Sequence, residues 1–187
     1  IIVLIISPII AFCVGYMMYT IVKIVFKNSN LTRTNRNFRF FQIFTAALQS
    51  FSHGTNDAQK SMGIITLALI VGNLQDGSNV EPQVWVKVAC ATAMGLGTAV
   101  GGWKIIKTVG GNIMKIRPAN GAAADISSAL TIFVASSLHF PLSTTHVVSS
   151  SILGVGASNR AKGVKWSTAQ RMVVTSVSYT HLRAHET

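Results

Sequence analysis

Apolar residues gather in long runs along this chain, separated by short polar blocks. Ile1 to Phe26 is apolar except for Lys23 and is long enough for a tilted membrane span, kinked at Pro8. Phe40 to Val71 is a second run, interrupted at its centre by FSHGTNDAQKSMG, and Trp85 to Trp103 is a third, with a Trp at each end like an aromatic belt. Pro118 to Asn159 must enter the membrane and return, because basic blocks flank it on both sides. Two straight spans of about 20 residues would leave nothing for a turn. The pattern therefore predicts a re-entrant or helix-break-helix hairpin turning near Pro141, its first limb rich in the small residues that let helices pack closely. The expected fold is an all-α integral membrane protein of several helices, some broken or re-entrant.

Composition agrees. The 187 residues are 49% hydrophobic and only 11% charged, against about 25% charged in soluble domains. The net charge of +11 raises the question of nucleic acid. The basic residues, however, sit in blocks at 27–39, 104–117 and 160–165, with no run of interleaved aromatics. That is the pattern of cytoplasmic loops, and it excludes a nucleic-acid partner. Residues 72–84 carry Asp76 and Glu81 and lie opposite, outside. Cys13 and Cys90 read as small buried hydrophobes. The apolar opening without Met and the abrupt SVSYTHLRAHET ending suggest a piece of a larger protein over 1–175 and a non-native tail over 176–187.

Polar groups at membrane depth persist where they are buried in protein or line a wet cavity. SHGTNDAQK and PLSTTH are two such places. Each pairs a helix breaker (Gly54, Pro141) with good N-cap residues (Thr55, Asn56, Asp57; Ser143, Thr144). A broken helix offers free N–H groups and a positive dipole end to an anion. Asp57 and Asp125 are the acids inside apolar segments, where an ionisable group signals function. A carboxylate beside an anion site suits a coupling cation, Na⁺ or H⁺, so the residues point to a cation-coupled transporter of a small oxyanion.

SHGTNDAQKSMGII, NGAAADISSALTIFVAS and PLSTTHVVSSSILGVG closely resemble, in order, signatures in the C-terminal half of the inorganic phosphate transporter (PiT) family. The resemblance covers Ser7 to Thr175. It implies one half of an inverted-repeat transporter, with phosphate bound near the midplane by both halves. On this chain it implies phosphate contacts from Gly54, Thr55, Asn56, Ser143, Thr144 and Thr145, with Asp57 and Asp125 coupling the cation. Gln59-Lys60 after the motif resembles the bacterial branch, which favours H⁺ over Na⁺ and places the protein in a bacterial inner membrane. Partners would be inorganic phosphate, alone or as a metal-phosphate, the lipid bilayer, the missing N-terminal half that should carry the second G-x-N-D motif, and further copies in a homo-oligomer. No cofactor and no protein-bound metal are expected.

Other readings remain open at this level. The scaffold would suit sulfate or another oxyanion. Ser143 and His146 at i, i+3 hint at a membrane-embedded serine hydrolase, but no GxSxG elbow accompanies them. His53 and His146 lack metal-ligand spacing, so His146 is read as orienting the hairpin. Lys60 either pairs with Asp57 at i, i+3 or attracts phosphate, and Asp125 either holds a cation or caps a helix near Arg117.

Overall fold

A computed structural model describes residues 2–27, 31–77, 80–112, 116–140, 142–167 and 170. They form five helices: α1 (Ile2–Val25), α2 (Leu31–Val71), α3 (Val84–Asn112), α4 (Pro118–Ser137) and α5 (Thr144–Arg160), with a 3-10 turn over Ala161–Gly163. The hairpin α4–α5 is the centre of the structure. α1 packs against both of its limbs, α2 lies along α4, and α3 touches the assembly through α2.

The hairpin follows from the chain's chemistry. Pro118 starts α4, where its missing N–H leaves no bond unmade. The helix ends in a Schellman motif, with Phe140 N–H on the Ala135 carbonyl and His139 N–H on Ser136. His139 takes the left-handed conformation this requires, at φ 57°. The same motif ends α2, with Leu74 N–H on Leu69, Asn73 N–H on Ile70, and Asn73 at φ 55°. Pro141, expected at the turn, lies outside the described residues, as do Lys115 and the tail 176–187.

The interior is built from small and polar side chains. Ala122, Ala123, Ala124, Ser127, Ser128 and Ala129 of α4 are buried, whereas Phe40, Ile43, Phe44, Ile64, Val88 and Val100 point outward. That distribution suits a solvent as apolar as the side chains themselves, in which helices associate by close packing. α1 and α5 meet at their backbones. A Cβ added to Gly154 would overlap the Phe12 carbonyl oxygen, and one on Gly15 would come within 2.5 Å of the Ser151 carbonyl oxygen. Tyr19 donates to Asn159 at 3.2 Å, and Lys23 donates to the Ser158 carbonyl at 2.9 Å near the negative end of α5.

Segments Ile6–Val25 and Val84–Trp103 are long and apolar enough to cross a membrane. Two expectations about loops need correction. Residues 31–39 and 104–112 are helical rather than loop. At 1.5 Å per residue, 41 residues of α2 extend about 62 Å, twice a hydrocarbon core of about 30 Å, so basic residues can sit on a helix end beyond the bilayer.

The larger correction concerns Gly54. α2 runs unbroken through it, and no glycine among the described residues has a positive φ. A single Gly costs a helix only about 1 kcal/mol relative to Ala, too little to break one held along a neighbour. No helix N-terminus is therefore exposed at Thr55, Asn56 and Asp57.

Candidate functional site

The polar stretch works as one face of a continuous helix. His53, Asn56, Asp57 and Lys60 recur at three- and four-residue spacing, so they project together. That face meets the end of α4 and the start of α5. Asp57 is the hub. Its Oδ2 lies 3.0 Å from His53 Nε2, and its Oδ1 accepts from Lys60 Nζ at 3.1 Å. The Thr144 hydroxyl donates across the gap to both carboxylate oxygens, at 3.2 Å each. Lys60 Nζ also donates to the Leu142 carbonyl at 3.2 Å. Leu142 is held in place because its side chain is buried with Ala11, Ile132 and Val147.

Beside this hub, Asn56 Nδ2 donates to Ser136 Oγ at 2.6 Å, while its buried Oδ1 has no partner. Asn56, Thr55, Gln59, Ser52 and Ser136 line a cleft of about 200 Å³, walled by Phe51 and Phe133. Buried polar atoms are normally paired, so an unpaired amide oxygen on a cleft marks a place for a donor. Gly54 is half-buried, and a Cβ there would meet nothing within 4 Å.

The hairpin residues divide. Thr144 is buried and engaged. Ser143 is the N-cap of α5, but its hydroxyl makes no capping bond, contrary to the expectation that it caps the helix. Thr145 is exposed, and His146 is half-buried in the first turn.

Asp125 belongs elsewhere. Its Oδ2 accepts from Thr45 Oγ1 at 3.2 Å, one step along a polar seam between α2 and α4. Ser128 donates to Gln49 Oε1 at 2.8 Å in the same seam, where Gln49 Nε2 and both side-chain polar atoms of Asn120 are buried without partners. Thr45 and Asp57 are twelve residues apart on α2, about 18 Å along its axis. The two acids therefore occupy separate places, not one site. Arg117, not Asp125, stands at the N-cap of α4.

Sequence reasoning missed His53 as a partner of Asp57, although its i, i+4 spacing was legible. It missed Ser136, Thr45 and Gln49, whose significance depends on how α2 lies on α4. The Leu142 carbonyl had no sequence signal at all. Among the described residues no group of three or more His, Cys, Asp or Glu could hold a metal ion.

A family model described as the phosphate transporter family matches residues 26–178. The chain is 66% identical over 174 residues to a probable low-affinity inorganic phosphate transporter of Bacillus subtilis, covering 93% of this chain and 52% of the relative. It is 34% identical over 130 residues to sodium-dependent phosphate transporter 1 of Pongo abelii, covering 69% of this chain and 19% of that protein. A solved structure of a sodium-dependent phosphate transporter shares the fold, with a TM-score of 0.70 at 24% identity, over 93% of this chain and 52% of that one. The chain thus spans about half the length of the Bacillus subtilis relative. The family consists of transporters, which sets aside the serine hydrolase reading and makes this an integral membrane protein. With 153 of its residues matched by the model, the chain belongs to the phosphate transporter family.

Proposed function

We propose that this chain forms one half of a secondary transporter that carries inorganic phosphate across a bacterial inner membrane, coupled to a cation, with H⁺ favoured over Na⁺. The observation that carries the proposal is the bond from Thr144 to both oxygens of Asp57, which ties the carboxylate of α2 to the turn of the hairpin. A charge shared between two elements can respond to a cation by changing how those elements pack, which is what coupling requires. Phosphate would lie along the cleft beside that junction. Thr55, Asn56 and Gln59 supply neutral polar groups there, and Ser143 at the N-terminus of α5 supplies a donor from the hairpin. The missing N-terminal half would close the site from the other side, and the basic segments near 27–39, 104–117 and 160–165 would face the cytoplasm.

The test is phosphate uptake by the full-length protein in proteoliposomes. Asp57→Asn should insert normally and lose cation-dependent uptake. Retention of both uptake and its cation dependence would remove Asp57 from the mechanism. Excess sulfate should compete weakly; competition equal to that of unlabelled phosphate would favour a general oxyanion carrier.

A further inference from the structure

We infer that the Lys60 ammonium is a built-in cation, held by oxygens that would otherwise bind a monovalent metal ion. This rests on the reading of Asp57 as the coupling carboxylate. A helical i, i+3 pair needs only its two side chains, but Lys60 does more. Its Nζ bridges Asp57 Oδ1 at 3.1 Å and the Leu142 carbonyl at 3.2 Å, a backbone oxygen of the non-helical hairpin turn. The Thr144 hydroxyl lies 3.2 Å from the same Oδ1. One carboxylate oxygen of α2 and one turn carbonyl thus meet the positive charge directly, and a hydroxyl of α5 is bonded to that same carboxylate oxygen. Carboxylates, carbonyls and hydroxyls are the ligands of hard cations, and unwound backbone carbonyls hold coupling ions in transporters.

Charge balance points the same way. Asp57 faces Lys60 on one oxygen and the His53 imidazole on the other. With Lys60 in place the carboxylate is compensated by a charge the chain carries itself. Without it, a carboxylate among apolar helices would lack its tethered counter-charge and draw one from solution. Lys60 is also half-exposed, so shortening it opens a route for an ion rather than a sealed void. The consequence is specific: Lys60 makes the site indifferent to sodium, and its removal creates a sodium site.

The experiment compares the full-length wild type with Lys60→Ala and Lys60→Arg. Thermal unfolding is followed without phosphate, in sodium chloride and in choline chloride at equal ionic strength. Lys60→Ala should gain a few degrees in Tm specifically with sodium, since a ligand that binds only the folded state stabilises it. Wild type and Lys60→Arg should show no such difference, and adding Asp57→Asn to Lys60→Ala should abolish it. Labelled phosphate uptake should then be about tenfold faster in sodium than in choline for Lys60→Ala alone, a difference of about 1.4 kcal/mol. Should Lys60→Ala not assemble, Lys60→Asn, which keeps a polar side chain, takes its place in both measurements. An equal sodium shift in wild type, or none in the shortened variant, overturns the inference. The melting comparison contains no phosphate, so it stands or falls apart from the transport reading, which fails instead if the wild type takes up no phosphate.

Discussion

Thr144 in the first turn of α5 donates its hydroxyl to both carboxylate oxygens of Asp57 on α2, at 3.2 Å each. This bond joins two stretches that are far apart in sequence and makes the junction depend on one hydroxyl. Thr144→Val keeps the shape and removes the donor, leaving Asp57 with His53 and Lys60. A hydrogen bond to a charged group contributes about 1.5 kcal/mol or more, less where water reaches the acceptor as it does here, so a loss of about 1 kcal/mol is expected. Thermal unfolding of the full-length protein measures it, with Thr144→Ser as the control that restores the donor. Equal losses in both variants would show that the methyl contact matters and the hydroxyl does not.

Gly54 and Gly154 are both mid-helix, yet the structure separates their roles. A Cβ at Gly54 meets nothing within 4 Å, while one at Gly154 overlaps the Phe12 backbone. Gly54→Ala should therefore leave the fold intact and stabilise α2 by about 0.5–1 kcal/mol. Gly154→Ala must push α1 from α5 and should destabilise by about 1–3 kcal/mol. Thermal unfolding of the two variants side by side tests the contrast. Destabilisation by Gly54→Ala would mean that α2 is not continuous there.

His139 sits at φ 57° in the C′ position of the Schellman motif ending α4, a place where Gly avoids the Cβ clash. His139→Gly should raise stability, by up to about 1 kcal/mol once the added freedom of the unfolded chain is subtracted. His139→Val should lower it by a similar amount or more, because a β-branched residue fits the left-handed region worst. The ranking Gly, His, Val in melting temperature is the readout. Any order with Val above His contradicts the turn geometry.

The sequence made the helical class, the return at 118–159 and the polar face around Asp57 legible, because each rests on local cues: run length, flanking charge, and polar residues where they are costly. It misread Gly54 because breaking propensity is a weak local term. The packing of α2 along α4 holds the helix through it. It gave Asp57 and Asp125 the same cation role because hydropathy puts both in apolar segments but does not say where along α2 the Asp125 of α4 docks. The partners of Asp125, Asn56 and Lys60 are fixed by that register alone.

That separation gives the last prediction. Asp125 is bonded to Thr45, about 18 Å along α2 from the Asp57 hub. Groups that far apart with no shared partner add in a double-mutant cycle, whereas bonded pairs do not. In the full-length protein, Thr45→Val with Asp125→Asn should show a coupling of about 1 kcal/mol in thermal unfolding. Thr45→Val with Asp57→Asn should be additive within about 0.5 kcal/mol. Run on phosphate uptake, the same cycle asks whether the two acids act in one step. Strong coupling between Asp57→Asn and Asp125→Asn in transport, with additivity in stability, would mean that the polar seam through Gln49 and Ser128 links them during the cycle although no bond joins them at rest. Additivity in both would make Asp125 a structural anchor of α4 on α2.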